Sequence, residues 1–578
     1  MLPRLLASAL IAAAATGAVV PTFTPSPAPT PAPIPLEWPY RHPAPAVEAA
    51  HGAVASDSIL ASRVGVGILR EGGNAVDAAI AVAFALAVVY PQAGNLGGGG
   101  FMVIRQANGR TAALDYRETA PARATRDMFL DSAGNRTNKS LVGPLAAGVP
   151  GTVAGLVAAH RRYGRLPWAK LVAPAIDLAA KGFVVDAKLA DTFGHDRDLL
   201  LHNDATRHAY SVDGHLPYAG DRLVQPELAN TLRRIAAQGA RGFYAGPVAA
   251  AIAHEQAHDG GVISTADLAR YQARWRTPVS FTYRGYRLIS MPPPSSGGVT
   301  LAEMLNILEG VDLRAMGWHS PAEIHWMAEA SRRAFADRNA YLGDPDFVTN
   351  PVATLMSKAY AAKRRATIKP DVATPEAGKQ GGLEPTHTTH FDIVDRDGNA
   401  VSNTTTLNND FGSGVVVPGT GVLLNDEMDD FTAKPGTPNL FGLVQGTRNA
   451  IAPGKRMLSS MTPTIVLDPK GRLFLVIGSP GGSTIISTVT QVIVNMIDFG
   501  MPLNAAIAAP RQHHQALPDQ IDLERGGFSP TTLSALIRMN HAIHEREAIG
   551  DAMGIARLEN GKLAAVADPR RDGAAAGY

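Results

Sequence analysis

The chain has 578 residues, more than the roughly 100–200 of a typical domain, so it carries several domains or one large layered core. Its 53 lysines and arginines against 51 aspartates and glutamates leave a formal net charge of +2, which gives no overall field to draw nucleic acid or an anionic membrane. The absence of cysteine excludes disulfides, thiolate metal sites, a cysteine nucleophile and anchoring through a lipidated N-terminal cysteine.

Met1-Leu-Pro-Arg4 carries one positive charge, residues 5–20 are apolar and alanine-rich, and residues 13–18 are small. This predicts a secretory signal over residues 1–20, and with it a periplasmic or secreted protein. The apolar run of about 16 residues is shorter than the roughly 20 that a spanning helix needs. Residues 21–46 are proline-rich and read as an extended, disordered linker.

From Val47 the chain reads as globular. Helical periodicity runs over residues 56–69 and, after the Glu71-Gly-Gly break, over 74–89. Strands are predicted over 101–106 and 111–116, helices over 151–163, 169–181 and 301–308, with Pro292-Pro-Pro-Ser-Ser-Gly-Gly298 as a loop. Two β-prone runs, 389–394 and 400–407, flank Asp395-Arg-Asp-Gly-Asn399 and predict a hairpin. Strands over 461–467 and 473–478 flank Asp468-Pro-Lys-Gly471, and a helix follows over 484–499. Helices dominate the first two thirds and strands recur after Thr388, a mixture that suits stacked sheets covered by helices on both outer faces.

Three patterns invite other chemistry. His254-Glu-Gln-Ala-His258 matches H-E-x-x-H, which places two histidines on one helix face to hold zinc beside a glutamate base. It continues to Gly261 but has Ser264 where a third histidine would stand, and a polar helix face is the simpler reading. The glycines at 97–100 lack the Lys-Ser/Thr ending of a phosphate loop and the spaced acid of a dinucleotide site. His513 and His514 are adjacent on an extended segment and point to opposite faces, which disfavours a shared ion.

The segment Glu384-Pro-Thr-His-Thr-Thr-His-Phe391 leads into a strand headed by threonine. Such a hydroxyl becomes catalytic if the chain is cut before it, because the new α-amine, with a pKa of about 7.7–8.0, supplies the base that a mid-chain threonine lacks. Pattern alone leaves Thr386, Thr388, Thr389 and Thr404 to Thr406 as candidates.

A set of motifs chooses among them. Thr388-Thr-His-Phe391, Thr406-Leu-Asn-Asn-Asp-Phe-Gly412, Leu424-Asn-Asp-Glu-Met-Asp-Asp-Phe431, Leu458-Ser-Ser-Met461 and Gly478-Ser-Pro-Gly-Gly-Ser483 stand in the order and spacing of gamma-glutamyltransferases (gamma-glutamyltranspeptidases), and the chain resembles that family. Gly94-Asn-Leu-Gly-Gly-Gly-Gly-Phe-Met102, Asp115-Tyr-Arg-Glu-Thr-Ala-Pro121 and Met291-Pro-Pro-Pro-Ser-Ser-Gly-Gly298 extend the resemblance over residues 47–578.

The resemblance implies an α/β (α+β) fold, the four-layer αββα sandwich of N-terminal-nucleophile hydrolases. It implies autocleavage between His387 and Thr388 into a large subunit, 47–387, and a small catalytic subunit, 388–578, which stay together as a heterodimer. Thr388 would be the nucleophile, Thr406 would orient its hydroxyl, and the backbone N–H groups of Gly481 and Gly482 would hold the oxyanion. Arg117, Ser459 and Ser460 would grip the substrate α-carboxylate, Glu427 and Asp430 its α-ammonium, and Asn408 would bridge the two. Residues 431–442 resemble a lid loop, with Phe441 at the gating position. No metal or cofactor is implied. The expected donors are glutathione and other γ-glutamyl amides, and the acceptor is water, an amino acid or a dipeptide. The alternatives are a glutaryl- or cephalosporin-type acylase of the same fold, a zinc metalloprotease using His254 and His258, and a noncatalytic binding protein that keeps only the fold.

Overall fold

The structure is a computed structural model that describes residues 34–375, 388–571 and 573–578. The predicted signal, the linker to residue 33, and Pro385, Thr386 and His387 lie outside the described residues. Among the described residues no helix is long and apolar enough to cross a membrane.

Two seven-stranded antiparallel sheets stack face to face. One runs Val47–Ala49, Leu563–Ala567, Met553–Arg557, Leu473–Gly478, Thr464–Leu467, Tyr286–Ser290, Val279–Tyr283. The other runs Ala574–Gly577, Ala53–Ser56, Thr389–Val394, Ala400–Thr406, Gly99–Arg105, Thr111–Asp115, Arg274–Arg276. Phe101, Val103, Ile289, Ile465, Val476 and Ile555 fill the space between them. Helices Ile59–Arg70, Ala75–Val89 and Thr152–Tyr163 cover the outer face of the second sheet, and Gly297–Leu308, Thr484–Ile497 and Leu503–Ala508 cover the first. This is the expected αββα layering.

Local chemistry sets the elements that carry the site. The hairpin forms because Asp395 accepts from the N–H groups of Asp397 (3.0 Å) and Asn399 (2.9 Å), closing the turn through Gly398 at φ +86°. Helix Ala75–Val89 starts at a capping box, in which Asn74 accepts from Val76 and Asp77 and Asp77 returns to the Asn74 N–H. It is buried along its whole length, wedged between the sheet and helices Ile59–Arg70 and Trp168–Lys181.

Several expectations need correction. The helix predicted from Ser56 begins at Ile59, because Ser56 pairs with Phe391 in the sheet and tertiary pairing overrides local periodicity. The helix predicted from Leu301 begins at Gly297, where the Ser295 hydroxyl accepts the Gly297 N–H at 3.1 Å. As expected, helices dominate before Thr388 and strands recur after it, but both sheets interleave strands from the two sides of Thr388. The 21-residue helix Pro321–Tyr341 leaves no periodic signature in the sequence, because it is buried nearly all round and shows no apolar stripe.

Candidate active site

Thr389 pairs with Thr405 and His390 with Thr404, and the same register carried one residue further sets Thr388 opposite Thr406. Cross-strand neighbours share a face of the sheet, so their hydroxyls meet, and Thr388 Oγ1 donates to Thr406 Oγ1 at 3.3 Å. Thr406 Oγ1 also accepts the Asn408 N–H at 2.9 Å, with Asn408 at φ +86°. The other described nucleophile candidates, Thr389, Thr404 and Thr405, are engaged elsewhere. Thr389 donates to Asp57, Thr404 bonds the His390 ring at 2.8 Å, and Thr405 donates to the Gly99 carbonyl at 2.8 Å. Thr388 and Thr406 line one cleft together with Arg117, Asn408, Glu427, Asp430, Phe441, Ser459, Ser460 and Gly482. The structure therefore brings together every predicted site residue except Gly481, which adjoins the cleft next to Gly482.

The glycines at 97–100 serve packing here. A Cβ on Gly98 would stand 2.1 Å from the Thr406 carbonyl oxygen, so only glycine lets this segment approach the strand. Gly481 (φ +131°) and Gly482 (φ +56°) lead into helix Thr484–Ile497, whose first turn presents N–H groups and the positive end of the helix dipole. The Gly481 carbonyl is held by the Thr484 N–H (3.0 Å) and hydroxyl (2.6 Å). A Cβ on Gly482 would stand 2.4 Å from the Phe441 ring.

Arg117 is fully buried, just past strand Thr111–Asp115. Its N–H donates to Asp115 at 3.0 Å and its carbonyl accepts the Tyr271 hydroxyl at 2.7 Å. The guanidinium forms ion pairs with Glu427 and Asp430, and a Glu118 oxygen lies 3.8 Å away. Burial alone would lower its pKa, but these three carboxyls outweigh burial and hold it protonated. Burial disfavours the charge on all three carboxyls, and the nearby guanidinium groups offset it only in part. Burial pushes Glu427 and Asp430 up and takes Glu118 to about 7. Neither Glu118 oxygen, nor Glu427 Oε2, has a hydrogen-bond partner among the described residues.

Arg117 thus bonds directly to the two acids expected to hold the ammonium, so the two ends of the clamp meet each other. Asn408 does not bridge them in this state, because its Nδ2 donates to the Asp426 carbonyl (3.2 Å) and carboxylate (3.4 Å). Ser459 is fixed by its N–H on the Pro294 carbonyl at 2.9 Å, and the Ser460 hydroxyl accepts from Arg338 Nη2 at 3.1 Å. Phe441 is buried over Gly482, and Gln515 Nε2 donates to its carbonyl at 2.9 Å.

Sequence reasoning missed Glu118, Arg338 and Asn439 as parts of the site. Glu118 and Asn439 lay inside matched motifs without a role, whereas nothing local marked Arg338, which arrives on helix Pro321–Tyr341.

The H-E-x-x-H pattern forms no ion site. His254 and His258 face solvent on helix Gly246–His258 while Glu255 is buried, and His258 bonds Asp259 at 2.7 Å. Among the described residues the atoms close enough to share one ion are those of His325, Glu329 and His541, but the Glu329 oxygens are taken by Arg333 and Thr374. His513 bonds Ser487 (2.7 Å) and His514 bonds Asp519 (3.1 Å), in separate directions as expected.

Two stacked antiparallel sheets between helix layers, with a threonine heading a central strand beside the cleft, define the N-terminal-nucleophile hydrolase class. Residues 61–578 match the family described as Gamma-glutamyltranspeptidase. The glutathione hydrolase proenzyme of Escherichia coli K12 is 50% identical over 541 residues, covering 92% of this chain and 93% of that protein. The solved cephalosporin acylase of Bacillus halodurans superposes with TM-score 0.81 at 31% identity, over 94% of this chain and 99% of that one. The solved gamma-glutamyltranspeptidase of Helicobacter pylori is 50% identical with TM-score 0.55, over 55% of this chain and 92% of that one. The chain belongs to the gamma-glutamyltranspeptidase family.

Proposed function

We propose that the protein cleaves γ-glutamyl amides, glutathione first among them, through a threonyl ester, and passes the acyl group to water or an amine. The relatives named glutathione hydrolase proenzyme support both the activity and a processed precursor. The observation that carries the reading is the cleft itself, where the Thr388–Thr406 hydroxyl pair lies beside Arg117 set between Glu427 and Asp430. In this reading the bond before Thr388 is cut first, leaving a heterodimer of 47–387 and 388–578. The freed α-amine takes the hydroxyl proton as Thr388 Oγ1 attacks the γ-carbonyl carbon, and the Gly481 and Gly482 N–H groups hold the oxyanion. Collapse breaks the amide bond and the leaving amine takes the proton; water or an amine then attacks the ester with the α-amine again as base, the bond from the acyl carbon to Thr388 Oγ1 breaks, and the α-amine returns the proton to Oγ1. The single positive charge at Arg4 ahead of the apolar, alanine-rich run at residues 5–20 supports export to the periplasm or medium.

A cephalosporin acylase is a close fold neighbour, so the acyl group needs a direct test. A γ-glutamyl amide carries an α-ammonium that a glutaryl amide lacks, and a buried acidic pair matches only the former. The wild type should turn over a γ-glutamyl anilide well and a glutaryl anilide poorly, both in excess chelator. Equal rates would move the acylase reading ahead, and loss of activity with chelator would favour a metal enzyme.

A further inference from the structure

Arg338, on the last turns of helix Pro321–Tyr341, is 1% exposed. Its Nε donates to Ser296 Oγ (3.0 Å), its Nη2 to Ser460 Oγ (3.1 Å) and its Nη1 to Asn339 Oδ1 (2.9 Å). None of these acceptors is a carboxylate, and among the described residues Arg338 forms no ion pair. This contrasts with Arg117, which forms ion pairs with Glu427 and Asp430 and also lies near Glu118. A buried guanidinium with no directly paired carboxylate is costly, and the acid that acts on Arg338 through space is Asp430 of the clamp. Burial lowers its pKa only to about 10, so it keeps its charge at neutral pH.

The contacts give that charge a direction. A serine hydroxyl has one proton to donate, and because Ser460 Oγ accepts from Arg338 that proton is free to point into the cleft that Ser460 lines. Ser296, the other acceptor, donates its own hydroxyl to the Ser459 carbonyl at 2.7 Å and its N–H to the same oxygen at 2.8 Å. Arg338 therefore steadies both serines, one through its backbone and one through its side chain. Charge points the same way. Arg117 and Arg338 are the two cations that act on Asp430, against the burial that disfavours its charge. Without Arg338, Arg117 is left alone to face Glu118, Glu427 and Asp430 and an incoming carboxylate together.

We propose that Arg338 is a positioning residue for the α-carboxylate of the substrate: it turns the Ser460 hydroxyl into a dedicated donor and supplies the buried positive charge that the carboxylate balances. This rests on the reading that Arg117, Ser459 and Ser460 receive the carboxylate. The step is binding alone and moves no proton.

The test uses the full chain after maturation and two substrates, a γ-glutamyl anilide and the 4-aminobutyryl anilide that differs only in lacking the α-carboxylate. Arg338→Met should raise KM for the γ-glutamyl substrate about tenfold or more with a smaller change in kcat, and alter kcat/KM for the 4-aminobutyryl substrate less than about twofold. Introduced on top of Ser460→Ala, the same change should cost less than it does in the wild type, because one path of its action is already gone. Equal losses on both substrates in matured Arg338→Met, no loss on the γ-glutamyl substrate, or the same penalty with and without Ser460 would each overturn the assignment. If Arg338→Met does not fold, Arg338→Lys decides by the same comparison, since it keeps the charge but cannot span Ser296 and Ser460 together. Failure of the underlying reading looks different, because the wild type itself would then cleave both substrates alike.

Discussion

Asn439 Nδ2 donates to Asp430 Oδ1 at 3.2 Å, while Asn439 Oδ1 accepts the N–H groups of Phe441 (3.1 Å) and Leu443 (3.0 Å). One amide thus ties the loop carrying the gating aromatic to an acid of the clamp. Asp429 adds to the tie, since its Oδ2 accepts the Leu440 N–H at 2.7 Å. Loop position and carboxylate orientation are in this way one structural variable.

Asn439→Ala should therefore lower kcat/KM for a γ-glutamyl anilide. A hydrogen bond to a charged group contributes about 1.5–3 kcal/mol, which corresponds to a loss of about ten- to a hundredfold. The loss should fall mainly in KM, and limited proteolysis should cut residues 431–442 faster than in the wild type. Unchanged kinetics would mean that Asp430 holds its orientation without the loop.

Maturation and turnover should separate at the threonine pair. Thr388→Ala should stay one uncut chain, and N-terminal sequencing of the smaller wild-type fragment should begin at Thr388. Thr406→Val keeps the shape but removes the hydroxyl that Thr388 Oγ1 meets at 3.3 Å, a neutral hydrogen bond of about 0.5–1.5 kcal/mol. Its kcat should fall about two- to tenfold with KM nearly unchanged. A different N-terminus, or full kcat in Thr406→Val, would reject the corresponding role.

Much of this was legible in the sequence. Asp395 and Gly398 announce the hairpin, and Thr388, Thr406, Arg117, Glu427 and Asp430 follow from their motifs, because turn chemistry and ligand chemistry are local. The alternation of Val279–Tyr283 is legible in the same way, with Ser280 and Thr282 outward between buried neighbours. What sequence could not supply is the meeting of distant segments. Arg338 reaches Ser460 from 122 residues away, and Arg117 reaches Asp430 from 313. Nor does sequence reveal that Arg117 and the acids pair with one another.

Gly482→Ala should disturb the oxyanion end of the site. Gly482 sits at φ +56°, and a methyl there would press on the Phe441 ring at 2.4 Å, so either the backbone or the loop must shift. Losing one oxyanion donor can cost about 2.7–4 kcal/mol, so kcat should fall about a hundred- to a thousandfold. Pairing it with Phe441→Ala separates the causes: recovery in the double variant assigns the loss to the ring, and no recovery assigns it to the backbone.

Asp430→Ala should cripple turnover of a γ-glutamyl anilide by about ten- to a hundredfold, since it removes a charged partner of the ammonium. A glutaryl anilide, poor with the wild type, should be much less affected, and maturation at Thr388 should proceed. An equal penalty on both substrates would remove Asp430 from the ammonium site.

Glu118 makes the clamp sensitive to pH. Burial raises its pKa from 4.5 to about 7, with Arg117 pulling it down and Asp430 and Asp115 pushing it further up. The folded protein thus holds a proton that the unfolded chain gives up, so this group's contribution to stability is full below about pH 4.5 and is lost as pH rises through about 7. Glu118→Gln, which cannot ionise, should therefore gain thermal stability relative to the wild type as pH rises across that window. Function should follow the same group. Once ionised, Glu118 adds a third carboxylate beside Arg117, 3.8 Å from Nη1, where it competes with the substrate α-carboxylate. KM for a γ-glutamyl anilide should climb above about pH 7 in the wild type and stay flatter in Glu118→Gln, while titration of the substrate's own amine affects both enzymes alike. Parallel KM profiles for the two enzymes would show that Glu118 does not titrate against the clamp.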